Sequence, residues 1–354
     1  MTDTQRASIA GTAVATPFGT GTATNCTAFF EGRNTFRTPG HYDSKGLLAG
    51  IDPDLDKNDG SSRAFRLLRK LKDAIEFPIP PETPLFLSTT VGAIDLLEQG
   101  NSCDTSTALL EEAKRIFGLK QATLVSAACA SGQMAVSFAL EQIHAGNCTH
   151  ALVVGCDIAS EFVTSGFTAL GAVSKTICRP YDKKRDGLVL GEAAGAILLT
   201  AYTPGTDAIL GAAESCDAAH ITAPDLGGTI LKQAILSAMD GQGIIGGVIG
   251  HGTGTVYNDL AEINALNAVF SGAIPPLYSL KGNLGHTLGA TGVLQIIFGL
   301  EFSRRGMMPP QANLQEPAVA AVSNQSQQLL SRRLLTLNVG FGGLNSALIL
   351  EAAQ

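Results

Sequence analysis

The chain has 354 residues, 45% of them hydrophobic and only 16% charged, with a formal net charge of −7. Disordered chains combine low hydrophobicity with high charge, so disorder is excluded over most of the length, and the acidic balance excludes bulk nucleic-acid binding, which needs a basic surface. Forty glycines exceed the usual ~7% but show no Gly-X-Y period and no low-complexity block, so they must serve tight turns or close packing.

Short apolar runs bounded by Gly, Pro, Asn or Asp alternate with longer segments of helical period, the pattern of an α/β protein. In chain order the spacing predicts a strand at 8–14, a helix at 62–76, a strand at 85–88, a helix at 105–117, a strand at 122–126 and a helix at 130–145. Strands follow at 151–155, 192–199 and 208–213, then a helix at 228–239, a strand at 246–250 and a helix at 259–270. A strand at 277–280, a helix at 289–301 and strands at 334–339 and 347–351 complete the series. The later run repeats the earlier one, so two similar, closely packed halves are expected, 1–203 and 204–354, meeting at the turn Thr203-Pro-Gly-Thr206. The stretch 37–61, rich in Gly, Asp and Pro, reads as a surface excursion with no assignable task.

Seven cysteines at 26, 103, 129, 148, 156, 178 and 216 lack any CxxC spacing, so neither a metal site nor a disulfide framework is expected. No apolar run reaches the ~18 residues a bilayer span needs, and Met1 to Ser8 lacks the basic start and apolar stretch of a leader, so a cytoplasmic protein with no membrane span is expected.

Three residues stand where α/β folds keep their chemistry. Cys129, in VSAACASG, falls between a strand and a helix, where the helix amino terminus favours a thiolate. Taken alone it would most often be a buried small hydrophobe. His251, in GHGTGT, lies just past an apolar strand, at the sheet edge where ligands bind. His286, in KGNLGHTLG, again follows a strand and precedes a helix. Three such residues, all beside glycines, make coincidence improbable.

The ordered stretches VSAACASG (from Val125), RPYDKKRDGLVLGEAAG (from Arg179), DAAHITAP (from Asp217), GHGTGTVYNDLAE (from Gly250), KGNLGHTLGATG (from Lys281) and NVGFGGLNSALIL (from Asn338) resemble the β-ketoacyl synthases, the decarboxylating condensing enzymes of fatty-acid and polyketide assembly. The resemblance implies a thiolase fold of five αβαβα layers built from two pseudo-symmetric halves. It implies that Cys129 takes an acyl group from acyl carrier protein, with backbone amides of Cys129 and Phe341 facing the oxyanion and Phe341 gating the thiol. It implies that His251 and His286, as neutral imidazoles, donate to the malonyl thioester during decarboxylation, and that Lys281 supplies electrostatic support. Asp259 and Glu262 would hold Lys281 and the histidine loops. Thr253 and Thr255, with Thr222 nearer the entrance, would bind the pantetheine arm, and Asp217 and His220 belong to a loop resembling a mobile gate. No cofactor or metal is implied, the substrates being carried on phosphopantetheine.

A carrier protein is acidic, so a basic dock is expected: Arg63, Arg66, Arg69, Lys70 and Lys72 at helical spacing, extended by Arg185 and by Lys114 with Arg115. Members are dimers as a rule, so a homodimer or a heterodimer with a related ketosynthase subunit is expected. Relatives often carry Thr where this chain has Ala127, and the chain is shorter than typical members before Cys129 and between Cys129 and His251, so their acyl preferences do not transfer. Chalcone-type synthases use Cys-His-Asn and thiolases a second late cysteine, neither of which fits; Gly340, Gly342 and Asn345 miss the last glycine of GxGxxG, and GxSxG does not occur. A non-catalytic chain-length factor usually lacks the cysteine that this chain keeps.

Overall fold

The computed structural model describes residues 6–57 and 59–353; most of the amino-terminal stretch read above for a leader, and Asn58 within 37–61, lie outside them. In chain order the main elements are β1 (Ala7–Thr16), α1 (Thr22–Phe30), α2 (Arg63–Asp73), β2 (Leu85–Ser88), α3 (Thr105–Phe117), β3 (Ala122–Val125), α4 (Ser131–His144), β4 (His150–Asp157), α5 (Glu161–Ala169) and β5 (Ala193–Ala201). They continue with β6 (Ala208–Cys216), α6 (Thr229–Met239), β7 (Gly247–Ile249), α7 (Val256–Phe270), β8 (Leu277–Tyr278), α8 (Thr291–Arg305), β9 (Arg333–Gly340) and β10 (Leu344–Glu351).

The strand order is β1-β5-β4-β2-β3 in the first half and β6-β10-β9-β7-β8 in the second. Both halves share one pattern: the first two pairings are antiparallel and the last two parallel. A short antiparallel contact, Ala7 opposite Ile209 and Ser8 opposite Ala208, joins the two sheets.

Alternation along the strands builds the layers, because successive side chains face opposite sides of a sheet. Leu85, Leu87, Leu152 and Val154 face outward onto Leu67, Leu71 and Leu109 of α2 and α3. Phe86 and Val153 face inward, toward a shared core with Val136 of α4, Val293 and Ile297 of α8, and Leu348 and Leu350 of β10. Leu337 and Ile349 face the other way, onto Ile235 of α6 and Leu266 of α7. The result is helix, sheet, helix pair, sheet, helix: the five-layer thiolase arrangement.

The central pair α4 and α8 meet at their amino ends. A Cβ on Gly292 would stand 2.5 Å from the Gln133 nitrogen, and one on Gly132 would stand 2.9 Å from the Gly289 carbonyl oxygen. Only hydrogen fits between these backbones, and the close approach brings the starts of both helices to one point.

Two helices escape the hydrophobic period. In α1, TATNCTAFF is rich in small and β-branched residues, and Phe29 anchors it edge-on against Phe298 of α8 at 4.8 Å. In α5, EFVTSGFTA mixes β-branched residues with Gly166, and the Ser160 hydroxyl accepts from Val163 N–H to start it. The 37–61 stretch is a strap and not a loose excursion: Ala49–Gly50 pairs with Leu190–Gly191, Asp52 N–H donates to buried Glu192, and the Tyr42 hydroxyl accepts from Thr164 of α5. Among the described residues no helix is long and apolar enough to cross a membrane.

Candidate active site

Cys129 sits in the turn from β3 to α4, and that turn is strained: Ala128 has a φ of 49°. The left-handed region costs a residue with a Cβ about 1–2 kcal/mol. Ser131 offsets the strain, its hydroxyl accepting from Ala127 N–H at 2.8 Å and donating to the Ala128 carbonyl at 2.5 Å. The thiol is thereby fixed in the wall of a cavity of about 340 Å³, with His251, His286, Phe167 and Phe341 also on its walls.

His286 Nε2 lies 3.0 Å from Cys129 Sγ, while its Nδ1 accepts from Leu288 N–H at 3.3 Å. His251 Nδ1 accepts from Val339 N–H at 3.2 Å and has Lys281 Nζ at 3.3 Å and Asn338 Nδ2 at 3.4 Å. Donors on Nδ1 leave the single proton of a neutral imidazole on Nε2, so both rings are Nε2–H donors. Their centroids are 5.5 Å apart at 87°. Burial first, and then the Lys281 charge, holds both histidines well below the ordinary histidine range, which keeps them neutral.

The thiol responds in the opposite sense to the expectation from the helix terminus alone. Burial pushes Cys129 up to about 12; the Lys281 charge pulls against this and Asp157 adds to it. Burial favours the protonated sulfur more strongly than the helix amino terminus favours the thiolate.

Lys281 is buried, its Nζ on the His251 carbonyl, and burial lowers its pKa. Asp259 and Glu262 hold the histidine loop as expected, but not through Lys281. Glu262 accepts from His251 N–H at 2.6 Å, Gly252 N–H at 2.9 Å and the Tyr181 hydroxyl at 2.9 Å. Asp259 accepts from Thr253 N–H at 2.9 Å and Tyr181 N–H at 2.8 Å. Among the described residues neither carboxylate forms a salt bridge with Lys281, because backbone donors already occupy them. Burial pushes both carboxyls up.

Thr253 and Thr255 join hydroxyls at 2.8 Å and line the cavity with Thr222. Phe341 tops the β9–β10 turn and stacks on Phe167 of α5 at 5.6 Å. Next to it, Gly343 has a φ of 82°, and a Cβ there would stand 1.5 Å from the Asp217 carbonyl oxygen. Asp217 N–H donates to the Gly343 carbonyl at 2.8 Å and Gly342 N–H to the Ile221 carbonyl at 2.7 Å, so the 217–225 loop and the GFGG turn are zipped together. His220 is exposed and accepts from Thr222 N–H.

The expected basic dock does not form. Arg63 is buried, donating to Glu192 at 2.7 Å and Asp56 at 2.8 Å. Arg66 donates to the Leu55 carbonyl, Arg69 meets Asp59 at 2.7 Å, and Lys70 meets Asp52 at 2.6 Å and Asp54 at 2.8 Å. The acidic strap folds over α2, away from the cavity, and its aspartates pair with Arg63, Arg66, Arg69 and Lys70. Lys114 and Arg115 pair with Glu111 and Glu112 of their own helix. Arg185 does reach the rim, but its guanidinium is taken by the carbonyls of Asp182, Thr255 and Val256. The mouth carries the exposed hydrophobics Ile221, Val256 and Tyr257 beside exposed Asp186 and His220.

Sequence reasoning missed Phe167, which lies in an unpredicted helix, and Asp157, a buried carboxylate at the end of β4. Among the described residues no group of three His, Cys, Asp or Glu is arranged to hold a metal ion.

Two family models match the chain: one described as the β-ketoacyl synthase N-terminal domain, over residues 117–204, and one described as its C-terminal domain, over 207–315. The 3-oxoacyl-[acyl-carrier-protein] synthase 2 of Mycobacterium tuberculosis is 34% identical over 245 residues, 62% of this chain and 58% of that protein. Its Staphylococcus aureus counterpart is 31% identical over 247 residues, 63% of this chain and 61% of that protein. The match thus spans less than two thirds of these curated relatives. Among solved structures, the ishigamide ketosynthase/chain length factor superposes with a TM-score of 0.86 at 25% identity, over 99% of this chain and 100% of that one. A Xenorhabdus doucetiae ketosynthase in complex with its chain length factor gives 0.82 at 25% identity, over 100% of this chain and 99% of that one.

Proposed function

The chain belongs to the β-ketoacyl synthase family, and on that premise we propose that it is a carrier-protein-dependent acyltransferase, a 3-oxoacyl-[acyl carrier protein] synthase of fatty-acid or polyketide assembly. The observation that carries the reading is the buried cluster of one thiol and two Nε2–H imidazoles on a single cavity, with Cys129 Sγ 3.0 Å from His286 Nε2.

In the first half-reaction the Cys129 sulfur attacks the thioester carbonyl of acyl carrier protein. A carbon–sulfur bond forms, the bond to pantetheine sulfur breaks, and the thiol proton leaves with the pantetheine thiol. Backbone N–H groups of Cys129 and Phe341 receive the oxyanion, and the His286 donor steadies the sulfur as negative charge develops. Thr253, Thr255 and Thr222 hydrogen-bond the pantetheine arm along the same cavity.

In the second half-reaction the malonyl carboxylate leaves as carbon dioxide, and the electron pair passes into an enolate. The Nε2–H groups of His251 and His286 bind its oxygen, and neutral imidazoles are the right donors because they hold charge without surrendering a proton to the carbanion. The enolate carbon then attacks the acyl-Cys129 carbonyl, and Cys129 departs as a thiolate. Lys281 keeps His251 neutral and oriented. The chemistry so written uses no cofactor.

Carrier docking is assigned to the exposed hydrophobics Ile221, Val256 and Tyr257 of the rim, held in shape by Arg185. The free edge of β3, which pairs only with β2 among the described residues, supports a dimer, either of two copies or with a related ketosynthase subunit. The solved structures that contain a chain length factor favour the second form.

The test is incubation with acyl carrier proteins of different acyl length, alone and with a related subunit, reading the mass added at Cys129. Acylation of that residue, lost in Cys129→Ala, is expected; folded protein that stays unacylated with every donor and partner overturns the reading.

A further inference from the structure

We propose that Asp157 is a positioning residue that ties the nucleophile turn in one half of the molecule to the His286 turn in the other, and so sets the contact between Cys129 and His286. The inference rests on the reading of that pair as the reacting centre.

Asp157 ends β4 and is fully buried. Four donors converge on its two oxygens. Oδ1 accepts from the Thr89 hydroxyl at 2.5 Å and from Val91 N–H at 3.4 Å; Oδ2 accepts from Thr90 N–H at 2.8 Å and from Gly289 N–H at 2.7 Å. Every contact is a donor, so the arrangement suits an ionised carboxylate; a protonated one would aim its hydrogen at an N–H or a hydroxyl already donating. Burial works against that state, pushing the group up to about 6, and the four hydrogen bonds pull it back.

Each arm of the clamp ends at a strained turn beside a reacting side chain. Through Thr90 it reaches the nucleophile, because the Thr90 hydroxyl donates at 3.2 Å to the carbonyl of Ala128, the left-handed residue before Cys129. Through Gly289 it reaches His286, because the residue just before Gly289, Leu288, is also left-handed at a φ of 49° and gives its N–H to His286 Nδ1. Two left-handed residues with side chains persist where surrounding structure over-determines them. One carboxylate holds both, across the boundary between the halves, and the Cys129–His286 contact is the closing side of that loop.

The test is a double-mutant cycle read by iodoacetamide alkylation of Cys129 at pH 8, scored on the Cys129 peptide by mass spectrometry. It needs no carrier substrate, so failure of the condensing reading leaves it interpretable. Asp157→Asn is expected to slow alkylation about tenfold when His286 is present, and to leave it unchanged or slightly faster in a His286→Ala background, where only the lost negative charge acts. A general packing defect would slow both backgrounds equally, and that outcome overturns the proposal, as does an undiminished rate in Asp157→Asn alone. If Asp157→Asn fails to fold, Thr90→Val decides the question: it keeps the charge and cuts only the link to Ala128, and it is expected to slow alkylation about threefold with His286 present and not without it. The same slowing in both backgrounds, or none in either, rejects the clamp.

Discussion

The loop from β3 to α4 and the loop from β8 to α8 occupy equivalent places in the two halves, and they carry opposite chemistry. The first presents Cys129 and the second presents His286, each near a left-handed residue and each running into a central helix. The loops after β2 and β7 are equivalent as well, but Thr89 in the first has its hydroxyl tied to Asp157, whereas His251 in the second faces the cavity. A repeated backbone thus supplies strand ends and helix starts twice. What each end does is decided by whether its side chain is consumed by a buried partner.

The sharpest way to break this comparison is to treat the two histidines as unequal. His286 alone touches the sulfur, while His251 is held away from it on Val339 N–H. Alanine at either position is expected to lower condensation about 10²- to 10³-fold, the usual loss for one oxyanion donor. Only His286→Ala should also slow acyl loading, while His251→Ala keeps it within about threefold. Single-turnover acylation beside product formation distinguishes them, and identical loading rates would mean that His286 does no more for the sulfur than His251.

The helix crossing separates close approach from mere glycine content. Gly132→Ala would drive a methyl into the backbone at residues 289–293 and is expected to cost about 1–3 kcal/mol. Gly166→Ala in α5, with open space around it, should be neutral or mildly stabilising. Denaturant melts of the two variants read the difference, and equal losses would show that the central contact is not the tight one.

A smaller effect concerns charge at the second-half loop. Burial lowers the Lys281 pKa, so this ammonium loses its proton at a lower pH than an ordinary lysine. Condensation should therefore fall severalfold as pH rises through that point, because the positive charge beside His251 disappears. Lys281→Met should react more slowly with no such alkaline decline, and a decline that survives the substitution belongs to another group.

The sequence-legible parts were those encoded locally. The ten main strands follow from short apolar runs, and Cys129, His251 and His286 from their position at strand ends among glycines. Less legible were features made by residues distant in sequence. Phe167 is in a helix whose β-branched residues and glycine mask its period, and it meets Phe341 across 174 positions of sequence. Asp157 looks like any strand-end acid until Gly289 arrives from the other half. The basic face of α2 was visible as spacing, but the Asp-rich strap that cancels it lay in the stretch with no readable period.

That cancellation gives the smallest effect and compares α2 with the cavity rim. Arg69 is partly exposed and already faces Asp59 at 2.7 Å and Glu112 at 3.7 Å, pairs of a kind worth roughly 0–1 kcal/mol. Arg69→Glu should place like charges together and lower stability by no more than about 1 kcal/mol, yet leave the apparent KM for acyl carrier protein within about twofold. Tyr257→Asp, at the mouth, should raise that KM while sparing a small pantetheine substrate, because it replaces an exposed aromatic of the dock by a charge that repels an acidic partner. Steady-state kinetics with both substrates checks the pair. A raised KM in Arg69→Glu with none in Tyr257→Asp would return the dock to α2, and would require the strap to open when the carrier arrives.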